Sequence, residues 1–190
     1  MNEITRIKLP AIMRTPQCRR LFDALNREGR VSSLYVGGCV RDAVLGQEVT
    51  DLDVATTLIP EEVRENCQEM GFKVIPTGED HGTLTILVDD QPFEVTTLRR
   101  DVQTDGRRAQ VVYTDAWLED AMRRDFTMNT LLADEEGRIF DPLGSGLADL
   151  KRGDVLFVGE PQERIREDYL RILRFFRFYA YYGHGVADER

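Results

Sequence analysis

The chain has 190 residues, one ordinary domain or one and a half small ones, long enough to bury about 70 % of its unfolded surface. With 42 % hydrophobic and 31 % charged residues it is globular in composition, which excludes a disordered tail, a collagen or a coiled coil. A net charge of −9 argues against non-specific coating of nucleic acid, yet the cations are 22 Arg against 3 Lys, and Arg suits planar recognition of phosphates and base edges.

In chain order, residues 1–16 hold Pro10 and Pro16 and read as a loose arm. Residues 17–28 read as a helix, with Leu21, Phe22 and Leu25 as its apolar stripe and Gly29 at its end. Residues 33–36 form a short buried strand, Gly37-Gly38 a turn, and residues 40–45 a helix stopped by Gly46. Residues 51–55 alternate polar and apolar as a half-buried strand does. Pro60 opens a helix that runs to Met70. Strands follow at 72–75, 84–88 and 92–98, the last two joined by a hairpin. Residues 100–110 read as a mobile polar loop and 115–124 as a helix. Strands at 131–133 and 138–140 flank a second hairpin, with a helix at 146–151 and a last strand at 154–158. One long helix is predicted from Pro161 to about Tyr182. This order predicts a mixed α/β (α+β) fold whose mixed or antiparallel sheet is flanked by helices.

No apolar run approaches the roughly 18 residues of a membrane span, and MNEITRIKLP lacks the apolar stretch of a signal peptide. Cys18, Cys39 and Cys67 are scattered and odd in number, which fits a reducing cytoplasm and neither a disulfide framework nor a zinc ribbon. Nothing in the sequence points to a protein partner.

Three groups of residues carry chemistry. A glycine pair between strand and helix, Gly37-Gly38, lets backbone approach a phosphate, with Arg41 as a nearby cation; a plain tight turn explains the same pair. Asp51 and Asp53, two apart on a strand, point the same way about 7 Å apart and suit a hard cation such as Mg²⁺. A solvated surface strand is the alternative. An EF-hand is excluded, because Thr56 stands where that loop needs glycine. If the strand carrying Glu94 pairs nearby, three acids meet, the arrangement of two-metal phosphoryl transfer. Asp168, Arg171, Arg174 and Arg177, spaced by three, drift about 60° per step as a slanting polar stripe on a helix. An Asp accepts from an exocyclic amine and an Arg donates to a ring nitrogen or carbonyl, so this pair can select A and C. A helix salt bridge between Asp168 and Arg171 is the plainer alternative.

The ordered series GGCVRD, DLDVATT, HGTLTI, FEVTTLRRD, RRDFTMNTLL, DPLGSGLADL and EDYLRILRFFRF resembles the catalytic head of class II tRNA CCA-adding enzymes and bacterial poly(A) polymerases, of the DNA polymerase beta nucleotidyltransferase superfamily. The resemblance spans about residues 33 to 182. It implies a polymerase-beta-like head at 33–158, preceded by an arm and helix at 1–32 and followed at 159–190 by the start of a helical neck, the body and tail being absent. It implies that Asp51 and Asp53 bind Mg²⁺ with Glu94 as third carboxylate. Gly37, Gly38 and Arg41 would meet the triphosphate. Arg124, Asp125 and Asn129, with Arg123, would form the ribonucleotide-favouring motif, and Asp168, Arg171, Arg174 and Arg177 the base-reading row. Asp141 would open the hinge between head and neck. Residues 100–110 match the family's flexible loop, and a disordered surface loop explains them equally. His81 has no partner at metal spacing and reads as structural. The implied reaction is template-independent addition of CMP and AMP from CTP and ATP to the tRNA 3′ end. Poly(A) addition is the alternative; the lack of an RRF-type motif between Asp53 and Glu94 leans to CCA. A glycosyltransferase would place a nucleotide-binding half before its acidic pair, where only 50 residues stand. A non-catalytic nucleotide-binding fragment is a further alternative.

Overall fold

A computed structural model describes residues 1–102, 110–185 and 188. Its main sheet has eight strands: β1 (Thr5–Arg6), β2 (Ser33–Val36), β3 (Asp53–Thr56), β4 (Lys73–Gly78), β5 (Thr83–Val88), β6 (Gln91–Thr97), β9 (Leu132–Ala133) and β10 (Arg138–Phe140). They lie in the order β1-β10-β9-β2-β3-β6-β5-β4. The β3–β6 pair is parallel and every other pair among the described residues is antiparallel. The central strand β2 is buried along its whole length, whereas β5 alternates as a one-sided strand does. A separate two-stranded ribbon is made by β7 (Arg99–Val102) and β8 (Gln110–Tyr113).

The larger core gathers Leu21 and Phe22 of α1 (Pro16–Leu25), Val40 of α2 (Gly38–Leu45) and Val63 of α3 (Pro60–Glu69) against Leu84, Ile86, Phe93 and Val95 of the sheet. A smaller cluster on the other face joins Leu34, Val36, Ala55, Leu98 and Leu132, with Trp117 of α4 (Trp117–Met122) packed on it. Each such fully buried aliphatic side chain contributes about 1.5–3 kcal/mol. Then follow α5 (Gly146–Arg152), α6 (Pro161–Glu167) and α7 (Leu170–Tyr182).

Three expectations are corrected. The N-terminal arm is not loose: β1 pairs with β10, and Leu9 and Met13 are buried beneath it. Its prolines interrupt nothing: Pro10 is extended just ahead of a short 3₁₀ turn (Ala11–Arg14), and Pro16 opens α1, where the missing N–H is not needed. Residues 154–158 form no strand; Phe157 makes one isolated bridge with Phe126. The long helix is broken at Asp168, whose backbone is extended (φ −153°, ψ 105°) and whose Oδ1 accepts the Leu170 N–H at 2.9 Å. That side chain competes with the helix for backbone donors, the usual behaviour of Asp near a helix start. Arg171 adds to the break by donating to the Arg164 carbonyl at 2.6 Å, near the C-terminal end of α6.

Candidate active site

The parallel pairing of β3 and β6 sets Asp53 directly beside Glu94. Asp51 lies two residues earlier, just ahead of β3, and is exposed. All three border a cleft of about 590 Å³, also lined by Thr50, Thr85 and Gln91. Burial raises the Asp53 carboxyl to about 6; Glu94 and Asp51 push it the same way, against the pull of Arg124. Among the described residues no three His, Cys, Asp or Glu side chains are drawn together closely enough to hold a metal ion. The acids therefore share a cleft and are not a closed cage. As an all-oxygen, like-charged set facing one space, they fit a hard cation that would relieve their repulsion.

Next to Asp53 the chain turns from β2 into α2. Gly37 sits at φ 71°, ψ −128°, the mirror image of extended backbone, which is open essentially to glycine alone. The first N–H groups of α2 have no partner within the helix, and such a helix start favours anionic groups. A Cβ on Gly37 would lie 3.5 Å from Nη1 of Arg124, so the guanidinium stands over this turn. Cys39, in the same turn, is buried; burial pushes its thiol up to about 12, and its Sγ donates to the carbonyls of Val36 (3.2 Å) and Asp53 (3.6 Å). It is a packing residue and not a nucleophile.

Arg124 is aimed by Asp120, which the sequence reading did not single out. Asp120 is 3 % exposed. Its Oδ2 accepts from Nε (3.2 Å) and Nη2 (2.9 Å) of Arg124, and its Oδ1 from Arg123 Nε (2.8 Å) and the Arg99 N–H (3.3 Å). Burial raises its carboxyl, but the two arginines outweigh that and hold it below the usual range. From α6, Arg164 donates to the carbonyls of Arg123 and Arg124 and so fixes the backbone of the pair. The spacing of Asp120 from Arg123 and Arg124, three and four residues along one helix, is the signal that would have found it.

The remaining expected residues fall into two groups. Arg41, expected on the triphosphate, is 7 % exposed and bound to Asp42, Asn129 and Tyr182. Asn129 also donates to Asp125 Oδ1 at 3.0 Å, and Asp125 Oδ2 accepts Nε and Nη2 of Arg174 at 2.9 and 2.5 Å. Burial raises the Asp125 carboxyl, but these donors outweigh it and the net shift is downward. Between α6 and α7 Asp168 is exposed and no ion pair joins it to Arg171, which pairs instead with Glu167 at 2.6 Å. Arg177 borders a small cavity of about 100 Å³ with Arg41, Phe178, Tyr181 and Tyr182. Asp141 caps α5, accepting the Leu147 N–H at 3.0 Å. His81 serves through its backbone, its carbonyl accepting from Arg99. The loop expected at 100–110 falls mostly on residues 103–109, outside the described residues; its flanks are β7 and β8.

The site is thus a mixed sheet carrying adjacent carboxylates at a glycine turn, with arginine guanidinium groups standing over that turn. Residues 34–156 match the model of the poly A polymerase head domain. The chain belongs to this family. It is 48 % identical over 161 residues to the mouse protein "CCA tRNA nucleotidyltransferase 1, mitochondrial", covering 84 % of this chain and 36 % of that protein. Its fold matches the Bacillus stearothermophilus CCA-adding enzyme in complex with CTP at TM-score 0.73 and 34 % identity, over 87 % of this chain and 39 % of that one. It also matches a tRNA nucleotidyltransferase complexed with a primer tRNA and an incoming ATP analog, at TM-score 0.60 and 31 % identity, over 78 % and 41 %. The chain thus spans well under half the length of the relatives it matches.

Proposed function

We propose that this chain is the catalytic head of an RNA nucleotidyltransferase that adds CMP and AMP to the 3′ end of tRNA. Residues 33–158 would be the head and 159–190 the start of a neck. The observation that carries the reading is the Asp53–Glu94 pairing at the glycine turn under Arg124. In the reaction the primer 3′-oxygen forms a bond to the α-phosphorus, the bond to the bridging oxygen of the β-phosphate breaks, and pyrophosphate leaves. Gly37, Gly38 and the first turn of α2 would meet the negative triphosphate, and Arg124 would neutralise part of its charge. Asp51, Asp53 and Glu94 would hold Mg²⁺, which when bound lowers the pKa of the attacking hydroxyl and neutralises the triphosphate. Arg171, Arg174 and Arg177 are assigned to the base side, Asp125 and Asn129 to the sugar side behind them, with Asp168 at the start of the same helix.

CTP and ATP are the proposed substrates and a tRNA 3′ end the proposed acceptor, as the names of the matched proteins suggest. No described helix is long and apolar enough to cross a membrane. The three cysteines are free and buried, which suits a reducing compartment such as the cytoplasm. The test is calorimetric titration with each nucleoside triphosphate in Mg²⁺. CTP and ATP should bind, GTP and UTP more weakly, and Asp53→Ala should abolish the heat. Equal binding of all four, or binding that ignores Asp53, would overturn the assignment.

A further inference from the structure

A chain of hydrogen bonds starts and ends on α7 and passes through the head between. At one end Arg174 grips Asp125 Oδ2, while Asp125 Oδ1 accepts from Asn129 Nδ2 and from the Phe126 N–H at 2.8 Å. Asn129 Oδ1 accepts from Arg41 Nη1 at 2.8 Å. Arg41 Nη2 donates to the Tyr182 hydroxyl at 2.7 Å, and Arg41 also forks onto both oxygens of Asp42 at 2.9 Å. The Tyr182 hydroxyl donates in turn to Asp42 Oδ1 at 3.2 Å. The guanidinium of Arg41 lies 4.2 Å from the Tyr182 ring centroid and 5.2 Å from that of Phe178.

Arg174, Phe178 and Tyr182 are four residues apart and share one face of α7. No residue of α7 is fully buried; Phe175, Phe178, Tyr179 and Tyr182 pack on the core only partly buried, and the polar ties at the two ends of the helix add to that hold. Every guanidinium nitrogen of Arg41 is engaged inside the protein. The other end of the chain, Asp125, adjoins Arg124 beside Asp53. We infer that Tyr182 and Arg41 are positioning residues: they set how α7 presents Arg171, Arg174 and Arg177 to the nucleotide, and so which base is accepted. The inference rests on the proposed function.

The test is Tyr182→Phe, which keeps the ring over Arg41 and removes both hydroxyl hydrogen bonds. Inorganic pyrophosphate, CTP and GTP are titrated into wild-type and variant chains with Mg²⁺; pyrophosphate reads the glycine turn and Arg124 without a base. One buried hydrogen bond corresponds to about a fivefold effect, so the preference for CTP over GTP should fall about three- to tenfold while pyrophosphate affinity stays within about twofold. Arg41→Lys, which loses the fork onto Asp42, should lower the same ratio. An unchanged ratio in both variants overturns the inference and leaves the proposed function standing. Equal weakening of all three ligands also overturns it, because Tyr182 would then only hold the fold. A wild-type chain that binds none of the three overturns the proposed function, and this inference with it.

Discussion

Replacing Gly37 by alanine should damage both stability and nucleotide binding, and the two losses can be separated. At φ 71° and ψ −128° the residue occupies backbone space that an L side chain enters only under strain. Such a conformation costs about 2–3 kcal/mol for a non-glycine residue. For a chain of this length each kcal/mol moves the melting point by about 2–4 °C, so a fall of about 5–10 °C is expected. The added Cβ meets only the Arg124 guanidinium, at ordinary contact distance, so strain and not collision dominates. It would, however, stand where a phosphate oxygen has to approach the backbone. Gly46→Ala is the control: its glycine is left-handed (φ 68°, ψ 21°) with no neighbour within 4 Å of a Cβ. That change should cost about 1 kcal/mol and leave binding alone. Thermal melts and CTP titrations of both variants decide. A Gly37→Ala protein that is destabilised yet binds CTP as tightly as wild type would refute the phosphate-approach argument.

Four further outcomes are expected. Asp53→Asn should melt at or above the wild-type temperature without Mg²⁺, because the change relieves repulsion from Glu94 and Asp51; a clear loss in a melting scan would contradict that. Glu135 is raised to about 7 by burial and by Asp23, Glu136 and Asp134 against Arg19, so its folded pKa exceeds its unfolded one. Its charged form therefore weakens the protein as pH rises from about 4.5 to 7, and Glu135→Gln should gain about 1 kcal/mol at pH 8 and nothing at pH 4, after screening at this half-buried position. Gly146→Ala should cost about 2–3 kcal/mol, since its Cβ would sit 2.6 Å from the Thr127 carbonyl; chemical denaturation would show it. This chain alone should bind CTP and ATP but extend tRNA slowly, as it spans 36 % of the mouse relative; a gel-shift showing tight tRNA binding would contradict that.

The parts of the site carried by local pattern were legible in the sequence. Asp53 opens a strand as the alternation at 51–55 suggested, although Asp51 lies just ahead of that strand, and Gly37-Gly38 marks the strand-to-helix turn that is found there. The placement of Glu94 was not legible, because it depends on a parallel pairing across 41 residues that no local signal encodes. The break at Asp168 was hidden for the opposite reason. No proline or glycine marks it, and it arises from a side chain capping the next helix. The arm was misjudged because Pro10 and Pro16 outweighed Leu9 and Met13 as signals, although a short edge strand needs few pairs once its neighbours are buried. Arg41 looked like a free cation beside a glycine turn; its partners Asn129 and Tyr182 lie 88 and 141 residues away, so only the fold brings them together.

The central claim is tested most directly by incubating the chain with Mg²⁺, a tRNA lacking its terminal CCA, and each labelled nucleoside triphosphate in turn. CTP should label the tRNA, ATP should label it once the two C residues are in place, and GTP and UTP should not; Asp53→Ala should label nothing. Labelling by all four alike, labelling that survives in Asp53→Ala, or no labelling with any triphosphate would contradict the account.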